Sequence, residues 1–197
     1  MNDRNKPTDR LAGILAAGGY SRDIMDVIGR YQAVCRDRDG NTLWEDEFDN
    51  LVTNVGKALL LDATLGPSAY TLVGPFMGLI SSTSFTGVAA GDQMGSGLHT
   101  GWLEAGTTNA PTYANRLTIA FSAATPGGTT TKLTSGSITF TFTGTGTVQG
   151  AFIVTGTGAT NVNLATTGTL FSAGTLTTPQ PVIATNTLTL TYSASLT

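Results

Sequence analysis

Asp92, His99 and Glu104 fall within thirteen residues of one another, in a stretch punctuated by Gly91, Gly95, Gly97, Gly101 and Gly106. Two carboxylates and an imidazole at that density could bind a divalent cation, or set an acid and a base on either side of a substrate. Their spacing matches no metal-binding or hydrolase signature, and zinc would call for a second histidine that the chain does not have. The ordinary roles of such residues are structural. A loop carboxylate caps backbone amides or is solvated, and a single histidine is held by hydrogen bonds. The expectation is no catalytic residue, no metal site and no cofactor.

Other reactive patterns are missing as well. Gly144 and Gly146 sit in a Thr-Gly turn, with Gln149 where a dinucleotide fingerprint needs its third glycine. Gly56-Lys57 is followed by Ala58, and Leu51 stands where a phosphate loop needs its first glycine. No GxSxG, CxxC or HExxH pattern occurs. Cys35 is the single cysteine, which rules out an intrachain disulfide and reads as a small apolar strand residue.

The strongest feature of the chain is a chemical silence. From Leu133 to Thr197, 65 residues include no Asp, Glu, Lys, Arg or His, and 20 of them are Thr. General acids, bases and metal ligands come mostly from the missing types. Solubility ordinarily rests on a mixed charged surface, so a neutral β surface of this size suits packing against neighbours in an assembly. Overall the chain is 40% hydrophobic and 12% charged, against a usual charged share of about 25%. Disordered chains have the opposite balance. A net charge of -3 gives no basic footprint for nucleic acid. No run approaches the roughly 20 apolar residues of a membrane span. Neither nucleic acid nor membrane is an expected partner.

Charge is concentrated at one end: 19 of the 23 charged residues lie in Met1–Asp62. Residues 1–30 read as an N-terminal arm, extended or partly helical. Within it, Leu11–Gly19 (LAGILAAGG) is short and glycine-broken, with Asp3 and Asp9 offsetting the bases ahead of it. That makes it an uncleaved arm or short helix rather than a secretion signal. Ser21 could cap a short helix through Ile28.

Residues 31–197 read as one β-rich domain. Tyr31–Arg36 and Thr42–Glu45 flank Asp39-Gly40, the dipeptide of a tight turn, which predicts a hairpin over 31–48 with Trp44 and Val34 on its apolar face. Asn50 is placed to cap a helix over 51–65, where Val52, Val55, Leu59 and Ala63 recur at helical spacing, ending at Gly66-Pro67. Tyr70–Val73 and Phe76–Ile80 read as short strands, and Val88–Pro111 as a long loop. Leu117, Ile119 and Phe121 alternate with small or polar residues, as do Ile138, Phe140 and Phe142, then Leu188, Leu190 and Tyr192. Ala151–Val154 is apolar throughout, and Leu170-Phe171 and Val182-Ile183 complete the set. Thr143-Gly-Thr-Gly and Thr155-Gly-Thr-Gly end strands twelve residues apart, a rhythm of sandwiches and barrels. The predicted fold is mainly β: an antiparallel β-sandwich, jelly-roll or Ig-like, over 70–197, with one helix near 51–65. Trp44, in a strand, is expected in the core. Trp102, in a glycine-flanked loop, is the candidate interface anchor, with His99, Glu104 and Tyr113 beside it. Glu45-Asp46-Glu47 reads as a solvated acidic face.

The segments Asn50–Asp62, Tyr70–Ile80, Gly91–Met94 and His99–Glu104, with the Thr-rich β region that closes the chain, resemble small virion structural proteins of tailed bacteriophages. The resemblance covers about Tyr31 to the C-terminus. It implies a capsid decoration (cement) protein on the outer surface of the head, with the major capsid protein as partner and a homo-oligomer, trimer or dimer, as the working form. The alternative is a fibre or tail-associated domain that binds a host receptor or glycan, for which Trp102 and Tyr113 would lie exposed together.

Overall fold

A computed structural model describes residues 27–66, 71, 73–95 and 97–196. The fold is mainly β, as the alternation predicts: a 10-stranded antiparallel sheet and, among the described residues, a single helix. The strands are β1 (Val27–Arg36), β2 (Thr42–Val52), β3 (Phe76–Ser81), β4 (Leu103–Glu104), β5 (Leu117–Thr118), β6 (Thr130–Leu133), β7 (Ile138–Thr141), β8 (Gly146–Thr155), β9 (Thr169–Val182) and β10 (Thr187–Leu196). The helix α1 spans Asn54–Leu65.

The sheet folds into two layers that share one corner. In the first, β2, β1 and β10 lie side by side, and β10 carries both β6 and β7 on its far edge. In the second, β9, β8 and β3 lie side by side, and β3 carries β4 and β5. The ladder of β2 and β9 joins the layers where Asn50–Val52 pairs with Ser172–Gly174, and the bridges Tyr113–Phe142 and Phe121–Thr134 link the segments flanking β5 to the first layer. Beyond that corner β2 and β9 separate, and side chains replace the ladder. Asp46 accepts from both the N–H and the hydroxyl of Thr177 at 2.8 Å, and Trp44 Nε1 donates to the Pro181 carbonyl.

Period-two alternation explains the space between the layers. Tyr31, Ala33 and Cys35 of β1, Ile138 and Phe140 of β7, and Leu188, Leu190 and Tyr192 of β10 point inward. They meet Met77 and Leu79 of β3, Val148, Ala151 and Ile153 of β8, and Leu176 and Val182 of β9. A second core covers the other face of β3, β8 and β9. There Ile80, Phe152, Val154, Leu170 and Ala173 are roofed by Phe85, Val88, Met94 and Trp102 from the loop after β3. Both faces of β3 and β8 are therefore covered, which is why Phe76–Ile80 and Ala151–Val154 read as unbroken apolar runs.

Several boundaries differ from the sequence expectation. The strand β1 starts at Val27, so residues 27–30 belong to the sheet, as do the last two residues of the helix expected from Ser21 to Ile28. Residues 1–26, with the rest of the expected arm, lie outside the described residues. The first hairpin extends beyond 31–48, to 27–52. Its register puts Cys35 opposite Trp44 and Val34 opposite Glu45, so Val34 and Trp44 lie on opposite faces. A two-residue Asp39-Gly40 turn would give that same pairing; the turn is longer, Asp37 to Asn41, and the register shift at Cys35/Arg36 offsets the difference. Leu51 and Val52 are strand, and Thr53 rather than Asn50 caps the helix, its Oγ1 accepting from Gly56 N at 3.0 Å. Of the strand expected at Tyr70–Val73, Tyr70 and Leu72 lie outside the described residues, and Thr71 and Val73 are irregular.

Candidate functional site

Of the three titratable residues singled out above, Asp92 and His99 gather around Trp102, and the fold uses all three. The Trp102 indole is 1% exposed and packs at 5.2 Å from the Phe152 ring. Its Nε1 donates to Asp92 Oδ2 at 2.9 Å, and that same oxygen accepts from Ala89 N at 2.9 Å. His99, half-buried, stacks on the indole at 4.2 Å, with Nδ1 lying 3.1 Å from the Trp102 carbonyl oxygen. Asp92 thus ties the roofing loop to the tryptophan that seals it.

Glu104 leaves this group and pairs with Arg116, whose guanidinium is 5.3 Å from the centre of the Phe152 ring. Arg116 donates Nε to Oε1 at 2.8 Å and Nη2 to Oε2 at 2.6 Å. The second oxygen also accepts from Leu164 N at 2.9 Å. Of the three remaining guanidinium hydrogens, one on Nη1 and one on Nη2 reach the Thr160 and Ala165 carbonyls. Burial pushes the Glu104 carboxyl above the usual carboxylate range, while Arg116 pulls it back. The pair fastens the loop between β8 and β9 to the segment between β4 and β5. Asn163 strengthens the same junction by donating to the Tyr113 and Ala114 carbonyls.

Tyr113 is 2% exposed and lies edge-on to Phe140 at 5.0 Å. Its phenol oxygen accepts from Leu79 N at 3.0 Å. Burial raises that phenol far above its ordinary value. Cys35 is fully buried, its thiol pushed up to about 11 by burial.

Of the four interface candidates, then, Trp102, Glu104 and Tyr113 are interior to the single chain, and His99 is half-buried against Trp102. Trp102 and Tyr113 do not lie exposed together, which removes the sugar platform that the receptor reading required. Trp44, expected in the core, packs against the first core from a half-buried position at the open edge between β2 and β9, and Trp102, the expected anchor, is the more deeply buried of the two. The acidic run is divided by the strand alternation: Glu45 and Glu47 face out, and Asp46 turns toward Thr177.

Asp92, His99 and Glu104 do not converge on a pocket. Among the described residues no group of three His, Cys, Asp or Glu side chains could hold a metal ion. The cavity of about 520 Å³ in this fold is lined by none of the three. Arg116 is the participant that sequence reading missed. The signal was available, because Asp92, Glu104, Arg116 and Lys132 are the only four charged residues after Asp62. An isolated charge in a neutral β region calls for a partner, since an unpaired buried charge is costly.

The outward face of the first layer has a different chemistry. On β1 and β2, Arg30 bridges Glu47 at 2.7 Å and Asp49 at 3.0 Å. On β10 and β7 the outward positions are threonines: Thr139 is opposite Thr189 and Thr141 opposite Thr187, with the hydroxyls of Thr139 and Thr189 3.0 Å apart. A charged strip and a neutral hydroxyl strip thus share one surface. No family model matches the chain, and no curated protein or solved structure matches it either.

Proposed function

We propose that this protein is a non-enzymatic structural component of a bacteriophage particle, a capsid decoration protein that binds the assembled head and itself forms a homo-oligomer. The single observation that carries this reading is the uncharged threonine strip of β7 and β10, beside a body whose few late charges include the internally paired Glu104 and Arg116. Threonine is at home in a strand, keeps the face wet and imposes no charge that a partner would have to desolvate. A lattice repeats each contact many times, so a modest neutral interface gains strength by avidity. Binding the assembled lattice but not free subunits then stabilises the lattice by linkage. The likeness to small virion proteins of tailed phages points the same way.

The experiment is co-sedimentation of the purified protein with empty capsids, tails and intact virions. Saturable binding to capsids, lost in a Thr139→Asp/Thr141→Asp protein that still unfolds cooperatively, is the expected result. Binding to tails or host cells alone would transfer the protein to the receptor-binding class. Undiminished capsid occupancy by the Asp variant would remove the threonine strip from the interface.

A further inference from the structure

The described chain begins at the edge of an apolar cavity that nothing described fills. Its volume, about 520 Å³, lies within the usual range of ligand sites. Leu59 and Leu60 of α1 line it, together with Phe121, Ile153 and Phe171. Val27, the first described residue, lines it together with its register partner Leu196. Lys132 is the one charged residue among the described residues of the lining. Its ammonium is already engaged with the Ser122 carbonyl at 3.1 Å and lies 5.8 Å from the centre of the Phe121 ring.

The helix that walls the cavity is itself under-packed. Gly56 is the single fully buried residue of α1, while Leu61 and Leu65 are 51% and 77% exposed. A helix with leucines in water and a cavity along its flank lacks an apolar partner.

We propose that the partner is the chain's own Leu11–Ala17 segment, seated in this cavity in cis. Leu11-Ala-Gly-Ile-Leu-Ala-Ala17 is the longest uncharged apolar run in residues 1–26. It suits a cavity with no free charge to satisfy. Its glycine and alanines let backbone approach the walls closely, while Leu11, Ile14 and Leu15 supply the volume. The tether is sufficient: the roughly ten residues from Ala17 to Val27 span up to about 35 Å when extended. Attachment at the cavity edge gives the segment an effective concentration on the order of millimolar, which favours it over a segment from a separate copy. The inference goes beyond the particle reading and stands whether or not that reading holds.

A maleimide-labelling experiment on the full-length chain tests this. In a Cys35→Ala background, Leu15→Cys places one thiol inside the segment. We expect native labelling to be at least about tenfold slower than labelling in urea, the mark of a site that must open before it reacts. Equal rates would overturn the proposal. Adding Leu60→Lys on the half-exposed cavity wall should restore fast labelling, whereas Leu65→Lys, outside the lining, should not. Protection that survives Leu60→Lys would mean that the segment is buried elsewhere. Protection that fades on dilution would assign the seat to a neighbouring copy and overturn the cis arrangement. A co-purified lipid in the native mass spectrum, with the introduced thiol fully reactive, would give the cavity to a small apolar ligand instead.

Discussion

Arg116 grips Glu104 through two parallel hydrogen bonds, with 0% of the arginine side chain and 4% of the glutamate side chain exposed. Two of the four charged residues after Asp62 are thus paired with one another. Fork-on-carboxylate geometry is the strongest form of this contact, and every further bond of the pair goes to backbone of the β8–β9 loop. A catalytic carboxylate must be free to take or give a proton. This one is committed to holding two loops together.

Removing one member should therefore cost far more than a surface ion pair. Arg116→Met leaves Glu104 buried and uncompensated, and stability should fall by about 3–5 kcal/mol. The double variant Glu104→Leu/Arg116→Met should recover part of that loss, because no lone charge remains. Urea unfolding of the two single variants and the double variant gives the coupling directly. Additive losses would show that the two residues act separately.

Tyr113 supplies a hydrogen bond that a strand would otherwise make. On the outer edge of β3, β5 reaches only Phe76 and Met77, and β4 only Ile80 and Ser81. The Leu79 amide falls between them and donates to the Tyr113 hydroxyl instead. Tyr113→Phe should cost about 1–3 kcal/mol by leaving that buried amide unpaired. Tyr31 is the internal control. Its hydroxyl is buried near Ser172 with no formed hydrogen bond, so Tyr31→Phe should change stability by less than about 0.5 kcal/mol or raise it. Equal losses in chemical denaturation would refute the distinction.

The contrast between these residues shows how far the sequence is legible. Alternation along Ile138–Phe142 and Leu188–Tyr192 declares an inner face, because side-chain period and burial are both local. The chain turns at Pro126–Gly128, as the glycines predict, with Thr125 bridged to Thr131 across the turn. The register of the first hairpin is not local in that sense: it couples two strands, and it sets Val34 opposite Glu45, on the face away from Trp44. The burial of Trp102 is less local still, since it depends on a loop closing over a sheet face built from β3, β8 and β9. The indirect signal was the doubly apolar Phe76–Ile80 and Ala151–Val154, which require a cover on both sides. Thr139 and Thr141 are outward as expected, and nothing in their own positions names what they touch.

Asp37 makes the hairpin turn sensitive to acid. Its carboxylate accepts from the backbone N–H groups of Asp39 and Asn41, and from Asn41 Nδ2, at 2.8–2.9 Å. The Asn41 bonds, its side chain first, hold the Asp37 pKa below the ordinary value. A depressed folded pKa contributes stability that is present above the unfolded value of about 3.9, and that is lost as pH falls through the folded pKa. An NMR titration of the Asp37 carboxyl should inflect below about 3.9. Asp37→Ala should remove its share of the acid limb of stability. An unshifted inflection would mean that the turn does not depend on these bonds in solution.

Gly56 reverses the usual rule for helices. Glycine within a helix normally costs about 1 kcal/mol relative to alanine, and it weakens any helix prediction over this segment. Here a Cβ on Gly56 would lie 2.2 Å from the Phe171 carbonyl oxygen and 2.9 Å from its carbon, both backbone atoms of β9 that cannot swing aside. The helix rests on β9 through this one bare position, so Gly56→Ala must push α1 off the sheet. Overpacking against backbone should outweigh the propensity gain, for a net loss of about 1–3 kcal/mol. Ala58, exposed two positions along the same helix, should follow the ordinary rule and lose about 1 kcal/mol on change to glycine. Opposite substitutions at neighbouring positions should therefore both destabilise in urea unfolding. A stabilised Gly56→Ala protein would mean that α1 stands further from β9 than the close approach to Phe171 requires.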